Sequence, residues 1–207
     1  MWQKTLHDFE QGQIDILVGT QTITKGLHFP RVTLVGILWA DMSLHFPTYN
    51  ATEIALQQLI QVAGRTGRQS TESLVIVQTL AQRSTLEFLD ERIYKTFCLH
   101  ELEQRKLLAY PPYGRLAEIE IRHVREDSID QEAESIVHVA KNIIRNNNLS
   151  VQILGPSKPM VHKIKNTHLR KIFLKTHNMR EIHTVYQQIS QKRFTSSIFF
   201  TPNPTTQ

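Results

Sequence analysis

Short apolar runs separated by other elements dominate the first 80 residues. Residues 14–20, 32–39 and 73–78 are predicted as buried strands. Residues 52–63 have apolar side chains at helical spacing, and Gly64 stands where such a helix would end. Apolar strands that alternate with other elements are typical of a parallel sheet covered on both faces. We therefore predict an α/β region with a parallel sheet.

A different pattern follows, and it predicts a second domain. Residues 84–107 have helical spacing, and Tyr-Pro-Pro-Tyr-Gly at 110–114 ends that helix because proline cannot continue it. Beyond this point the order β-α-β-β-α-β indicates a ferredoxin-like α+β fold. Its predicted elements are residues 116–122, 130–145, 151–154 (ended by Gly155-Pro156), 171–175, 179–191 and 197–200. The predicted organisation is 1–80, a linking helix and Pro-Pro junction at 81–115, and a basic domain at 116–207.

Composition narrows the possible classes of protein. With 40% hydrophobic and 21% charged residues, the chain has the composition of a folded protein and not of a disordered one. No apolar run approaches the roughly 18 residues of a membrane span. The first residues form no secretion signal, so we expect a cytoplasmic protein without membrane contact. The single cysteine, Cys98, excludes an internal disulfide and a cysteine-based zinc site, and the scattered histidines suggest no metal site.

Positive charge is concentrated near the C-terminal end of the sequence. The whole chain carries 24 Lys+Arg and 19 Asp+Glu, a formal charge of +5. Residues 151–193 contain nine basic side chains and only one acidic side chain, Glu181. This imbalance favours a surface that binds nucleic-acid phosphates, with an anionic protein tail or a merely solvated face as alternatives. The candidate DNA contacts in this segment are Lys163, Lys165, Arg170 and Lys171.

Two motifs in the first 70 residues favour a polyphosphate ligand. One is QVAGRTGR at 61–68, in which two arginines three residues apart are flanked by glycines. Guanidinium groups bind phosphate oxygens in pairs, although a basic surface loop is the alternative interpretation. The other is GTQTITKGLHFP at 19–30, directly after a predicted strand. Open α/β sheets bind ligands at the carboxyl ends of their strands, where this loop would lie.

Together these segments resemble motifs V and VI of superfamily 2 helicases, in the order of a RecA-like second lobe. The residues at 19–30 are similar, more narrowly, to the PriA (primosomal protein N′) family of replication-restart DNA helicases. YNATE at 49–53, YPPY at 110–113 and ILGP at 153–156 also resemble segments of that family. The resemblance covers essentially the whole chain. It implies the C-terminal portion of such a helicase, with a partial RecA-like sheet followed by the ferredoxin-like domain.

The resemblance also implies roles for individual residues. The residues that would serve ATP binding and hydrolysis are Gln61, Gly64, Arg65, Arg68, Lys25 and Gly26, with Gln61, Arg65 and Arg68 catalytic and Arg68 the arginine finger. Those that would contact the DNA backbone are Thr20, Thr22 and Lys25. Hydrogen bonding at a strand end is the alternative role for the two threonines.

Cofactors and partners follow from the same resemblance. The family uses ATP and Mg²⁺, bound mainly by a first lobe, and zinc held by cysteines upstream of the region matched here. This sequence contains no G-x-x-x-x-G-K-[ST] motif and no Asp-Glu-x-His box, the Walker A and B elements. We therefore expect the chain alone not to hydrolyse ATP.

The partners implied are forked or single-stranded DNA, the tail of single-stranded DNA-binding protein, and other primosome proteins. The alternative is a non-catalytic module that binds DNA and protein.

Overall fold

The computed structural model describes residues 2–20, 23, 29, 31–44, 48–64, 74–80 and 84–204. The chain divides into two compact units, Met1–Glu101 and Leu102–Gln207. The elements that begin in the first unit are α1 (Trp2–Glu10), β1 (Leu34–Ile37), α2 (Asp41–Leu44), α3 (Ala51–Ala63), β2 (Leu74–Val77) and α4 (Tyr94–Leu107). The elements of the second unit are β3 (Arg115–His123), α5 (Glu126–Asn146), β4 (Gln152–Ser157), β5 (Lys163–Ile164), β6 (Thr167–Thr176), α6 (Met179–Ser190) and β7 (Ser197–Pro202). Within the described ranges, no helix is long and apolar enough to cross a bilayer.

A parallel pair of strands and one helix form the centre of the first unit. β1 and β2 run parallel, with Leu34 opposite Leu74 and Ile37 opposite Val77. α3 buries the side chains of Leu56 and Leu59. The predicted strands at 32–39 and 73–78 and the predicted helix at 52–63 are confirmed, although both strands are shorter than predicted.

Residues 14–20 do not form the predicted strand. They have irregular conformation, and Ile16 and Val18 are 78% and 83% exposed. A β-strand forms only where its backbone N–H and C=O groups can make hydrogen bonds to a neighbouring strand. In the described part of the first unit the sheet consists of β1 and β2 alone. The apolar run at 14–20 pairs with neither of these strands, and the prediction of a strand there is wrong.

The predicted helix at 84–107 is divided into three pieces. Two short 3₁₀ turns, Ser84–Phe88 and Glu91–Ile93, precede α4. Asp90 explains the second turn, because its carboxylate accepts the backbone N–H of Arg92 at 2.9 Å and thereby caps it. Phe97 of α4 is buried, with its ring 5.6 Å from that of Phe88. The helical spacing of apolar residues over 84–107 therefore did not reveal the break near residue 90, where the side chain of Asp90 caps a new turn.

An antiparallel sheet organises the second unit. Its strands lie in the order β4-β6-β3-β7, with β5 paired to the start of β6. All six predicted elements form, but the observed order is β-α-β-β-β-α-β because β5 is an additional strand. The mixed class, with a small parallel sheet and an antiparallel sheet, is confirmed. Two details differ from the prediction: β5 was not predicted, and β4 continues past Leu154 to Ser157. Gly155, at φ +102°, allows this continuation with a local shift in register.

The core of the second unit lies between one face of this sheet and the two helices α5 and α6. Alternate residues of β3 and β6 point into it, because successive side chains of a strand face opposite sides. The fully buried core side chains are Ala117, Ile119, Ile121, Ile129, Ala133, Ile136, Ile172, Leu174, Ile182, Val185 and Ile189. This core positions the basic segment at 158–193 relative to α5.

Replacing Ile136 by alanine tests the position of this core. Because the side chain is fully buried, we expect Ile136→Ala to lower the free energy of unfolding by about 2–5 kcal/mol. Urea denaturation followed by circular dichroism measures the change. The control is Val124→Ala, at a side chain that is 60% exposed, with an expected change below about 0.5 kcal/mol. Equal effects of the two substitutions would contradict the assignment.

Candidate nucleotide and nucleic-acid interfaces

The arginine motif begins where α3 ends. Gln61 lies exposed in the last turn of the helix. Gly64 forms the C-cap, and its N–H donates to the carbonyl oxygen of Ile60 at 2.8 Å. Arg65 and Arg68 lie outside the described residues, so their predicted roles stay predictions. α3 therefore fixes the start of the motif and leaves Gln61 accessible to a ligand.

The second motif is described only at Gly19, Thr20, Ile23 and Phe29. Thr20 is exposed, and its carbonyl oxygen accepts the N–H of Ile23 at 3.1 Å. Thr22, Lys25 and Gly26 lie outside the described residues. The predicted contacts of these four residues with DNA or ATP therefore stay predictions.

Asp41 joins the carboxyl ends of the two parallel strands, a role that sequence reasoning missed. Its side chain is buried, and it accepts hydrogen bonds from the hydroxyl of Thr79 at 3.0 Å and from the backbone N–H of Leu80 at 2.7 Å. Asp41 follows β1, and its two donors follow β2. These bonds hold together the segments that follow the carboxyl ends of the strands, where open α/β sheets bind ligands. A single acidic residue shortly after an apolar run was the available signal.

Arg170 is not available to DNA. Its side chain is 5% exposed, and its Nε and Nη2 atoms donate to Oδ1 and Oδ2 of Asp130 at 2.5 and 2.9 Å. Nη2 also lies 3.3 Å from Oε1 of Glu126, and Nη1 donates to the carbonyl oxygen of Leu169 at 2.8 Å. Hydrogen bonds from Arg170 to Asp130 hold the pKa of this guanidinium above its usual value. The prediction that Arg170 contacts DNA is corrected, because its donors are engaged inside the protein.

Lys171 is corrected in the same way. Its Nζ atom lies 3.1 Å from Oε2 of Glu118, and both side chains are only 12% exposed. The ammonium group is thus neutralised across the sheet, by a carboxylate on the adjacent strand β3. A largely buried pair of this kind offers little charge to a phosphate outside.

Lys163 and Lys165 remain as candidate contacts. Both are exposed, Lys163 on β5 and Lys165 in the turn that follows, where its φ is +55°. Across the described residues, neither lysine takes part in an ion pair. Other exposed basic side chains of the segment are Arg180, Lys192, Arg193 and Lys158, the last of which is paired with Glu126. The basic surface is therefore smaller than the sequence count suggests.

Three basic residues converge on Glu126 at the start of α5. Its carboxylate accepts a hydrogen bond from Lys158 at 2.7 Å and a longer one from Arg170 at 3.3 Å, and Nδ1 of His168 lies 3.7 Å away. The hydrogen bond from Lys158 is the main reason why the pKa of Glu126 falls to about 2. Glu126 is therefore ionised at neutral pH and ties the residues before and after β5 to the helix.

Comparisons with known proteins cover both units. Residues 2–70 match the family described as "Helicase conserved C-terminal domain", and residues 106–203 match "Primosomal protein N C-terminal domain". A protein named "Replication restart protein PriA" from Bacillus subtilis is 36% identical over 90% of this chain. Proteins of the same name from Synechocystis and Treponema pallidum are 32% and 34% identical over 90% and 84% of it.

The chain belongs to the PriA family. It spans 23%, 22% and 26% of the lengths of these three relatives, about a quarter of each. A solved structure titled "De novo designed protein Foldit4" aligns with 45% of the chain at 16% identity and a TM-score of 0.35, which is too low to support an inference. In this PriA-family chain, the motifs at 19–30 and 61–68 lie in the region that matches the helicase domain, residues 2–70. The basic segment at 151–193 lies in the region that matches the primosomal domain, residues 106–203.

Removing Asp130 tests whether Arg170 is structural. Asp130→Ala removes the main partner of the buried guanidinium, although Glu126 and the carbonyl oxygen of Leu169 remain, so we expect a loss of about 1–3 kcal/mol in the free energy of unfolding. The double variant Asp130→Ala/Arg170→Met buries no charge and should recover most of that loss. Urea denaturation measures both, with the exposed Glu134→Ala as the control on the same helix. If Asp130→Ala behaves like the control, the ion pair does not stabilise the fold.

Proposed function

We propose that this chain supplies the second-lobe motifs and the DNA-binding domain of an ATP-dependent 3′→5′ DNA helicase. The helicase would recognise stalled or branched replication forks and initiate primosome assembly for replication restart. The observation that carries the proposal is the presence of both family matches, in this order, in one chain. The exposed lysines in the second match supply charge that suits a DNA backbone.

In this proposal the first unit contributes one side of an ATP site. Gln61, Arg65 and Arg68 would face the γ-phosphate, and a guanidinium there would stabilise the charge that develops on the transferred phosphoryl group. The exposed last turn of α3 fits such a contact, because it leaves Gln61 free of covering side chains. ATP and Mg²⁺ would be held mainly by a first lobe. Zinc would belong to the full-length family and not to this chain.

The second unit would bind DNA and partner proteins. Its strand order β4-β6-β3-β7, with two helices on one face, supports a ferredoxin-like domain at 116–207 that follows the partial RecA-like sheet at 1–80 and the linker at 81–115. Its proposed partners are forked or single-stranded DNA, the tail of single-stranded DNA-binding protein, and other primosome proteins. Its proposed location is the cytoplasm.

A second candidate function is non-catalytic binding of DNA and protein. The absence of Walker A and B sequences from the 207 residues favours it for the chain acting by itself. The two candidates differ in ATP hydrolysis and agree in DNA binding.

Phosphate release tests the enzymatic part. We expect residues 1–207 to release no phosphate from ATP above background, with or without DNA, because the groups that hold the triphosphate are not encoded here. When a protein that carries the first lobe is added or fused, turnover should appear, and Arg68→Ala should lower its kcat about 10³-fold or more. Turnover by the chain alone, or an unchanged kcat in the variant, would contradict the proposed roles.

Salt dependence tests the DNA-binding part. Removing one phosphate contact should reduce the slope of log K against log salt by about 0.9 for duplex DNA. We therefore expect Lys163→Ala/Lys165→Ala to bind DNA more weakly and with a slope lower by roughly 1.8. The exposed Lys141→Ala on α5 is the charge-matched control, with little expected change. A slope near zero for the unaltered chain would refute DNA binding through phosphates.

A further inference from the structure

Residues 158–166, here called the hairpin segment, combine exposed apolar and basic side chains. Met160, Val161 and Ile164 are 67%, 64% and 50% exposed. Lys163 and Lys165 are exposed beside them. Neighbouring apolar side chains with this exposure mark interaction surfaces more often than ordinary protein surface. The segment therefore has a composition suited to a ligand with both apolar and anionic parts.

The backbone of the hairpin segment is held in place at its base. β5 pairs with the start of β6, with Lys163 opposite His168 and Ile164 opposite Thr167. The N–H of Leu169 donates to the carbonyl oxygen of His162 at 2.8 Å. Lys158 forms its ion pair with Glu126 at the other side of the base. The backbone that carries Lys163 and Ile164 is thus anchored to β6, which limits the entropy that these residues give up when a ligand binds.

The charge around the hairpin segment favours an anionic ligand. Glu181 is the one acidic residue between 151 and 193, and it already accepts hydrogen bonds from Thr176 and from the backbone of Ser150. Glu126 on α5, at the base of the segment, is paired with Lys158 and Arg170. Fully paired DNA offers phosphates but keeps its base faces stacked inside. At a branch, where paired and unpaired strands meet, phosphates and exposed base faces lie side by side. Apolar side chains such as Met and Ile bind DNA by contacting unstacked bases.

Resting on the proposed function, we propose that the hairpin segment recognises the branch point of forked DNA. Met160, Val161 and Ile164 contact the base face exposed at the branch. Lys163 and Lys165 bind the phosphates of the adjoining strands. The lysines supply affinity for any DNA, whereas the apolar side chains supply the preference for a branch.

Binding of residues 1–207 to two labelled DNAs tests this division of roles. One DNA is a fork, and the other is a fully paired duplex of the same length and sequence. We expect Met160→Ser/Val161→Ser/Ile164→Ser to weaken fork binding about tenfold or more, because the apolar surface of three side chains no longer packs on the base, and duplex binding less than about twofold. Lys163→Ala/Lys165→Ala should weaken both. Leu107→Ser, which removes an apolar side chain that is 79% exposed elsewhere, is the matched control.

The possible outcomes separate this inference from the proposed function. If the unaltered chain binds neither DNA, the proposed function fails and the inference fails with it. If the triple-serine variant binds the fork as tightly as the unaltered chain, or its binding to fork and duplex weakens equally, only the inference is overturned. Binding to anionic phospholipid vesicles in place of the fork would also overturn it.

Photo-crosslinking gives a second readout that does not depend on weakened binding. A benzophenone amino acid at position 161 should crosslink to nucleotides within a few positions of the branch. Crosslinks distributed evenly along both arms, or none at all from a variant that still binds the fork, would contradict the proposal. Circular dichroism of each variant establishes that its fold is retained.

Discussion

The ion pair between Arg170 and Asp130 joins the sheet of the second unit to α5, beside the apolar core. Arg170 lies on the side of β6 that faces the helices, where an unpaired charge would be strongly destabilising. Asp130 and Glu126, one helical turn apart on α5, neutralise it. Because Glu126 also accepts a hydrogen bond from Lys158, the same pair of carboxylates holds the helix, the sheet and the base of the hairpin segment together. Fold stability and the presentation of the proposed DNA contact are thereby linked.

The fold of the second unit could be predicted well, whereas its ligand-facing charges could not. Alternation in β3 and helical spacing in α5 indicate the same core, so local pattern and global structure agree. The side of the sheet that Arg170 faces could also be predicted, since residues 170, 172 and 174 of a strand point to the same face as Ile172 and Leu174 do. Its partner was not, because Asp130 lies 40 positions earlier in the chain and is brought near only by folding. A count of basic residues therefore overestimated the surface open to phosphates.

The first unit shows the opposite balance. Its motifs suggested a polyphosphate ligand from residue type and spacing, and the expectation of a helicase-like function came from their resemblance to a known family. Its strands were harder to predict, since the apolar run at 14–20 has no strand partner among the described residues. The hydrogen bonds of Asp41 joining the segments after β1 and β2 needed the structure, because they connect residues 38 and 39 positions apart.

Hydrogen exchange on residues 1–207, measured with and without forked DNA, tests the central claim most directly. We propose that the second unit binds branched DNA through the hairpin segment, whose base is held by the ion pair between Lys158 and Glu126. We expect amide exchange within residues 158–166 to be slower when the fork is bound, and to slow less when a fully paired duplex is bound. Protection confined to other surfaces, with exchange in 158–166 unchanged, would contradict it.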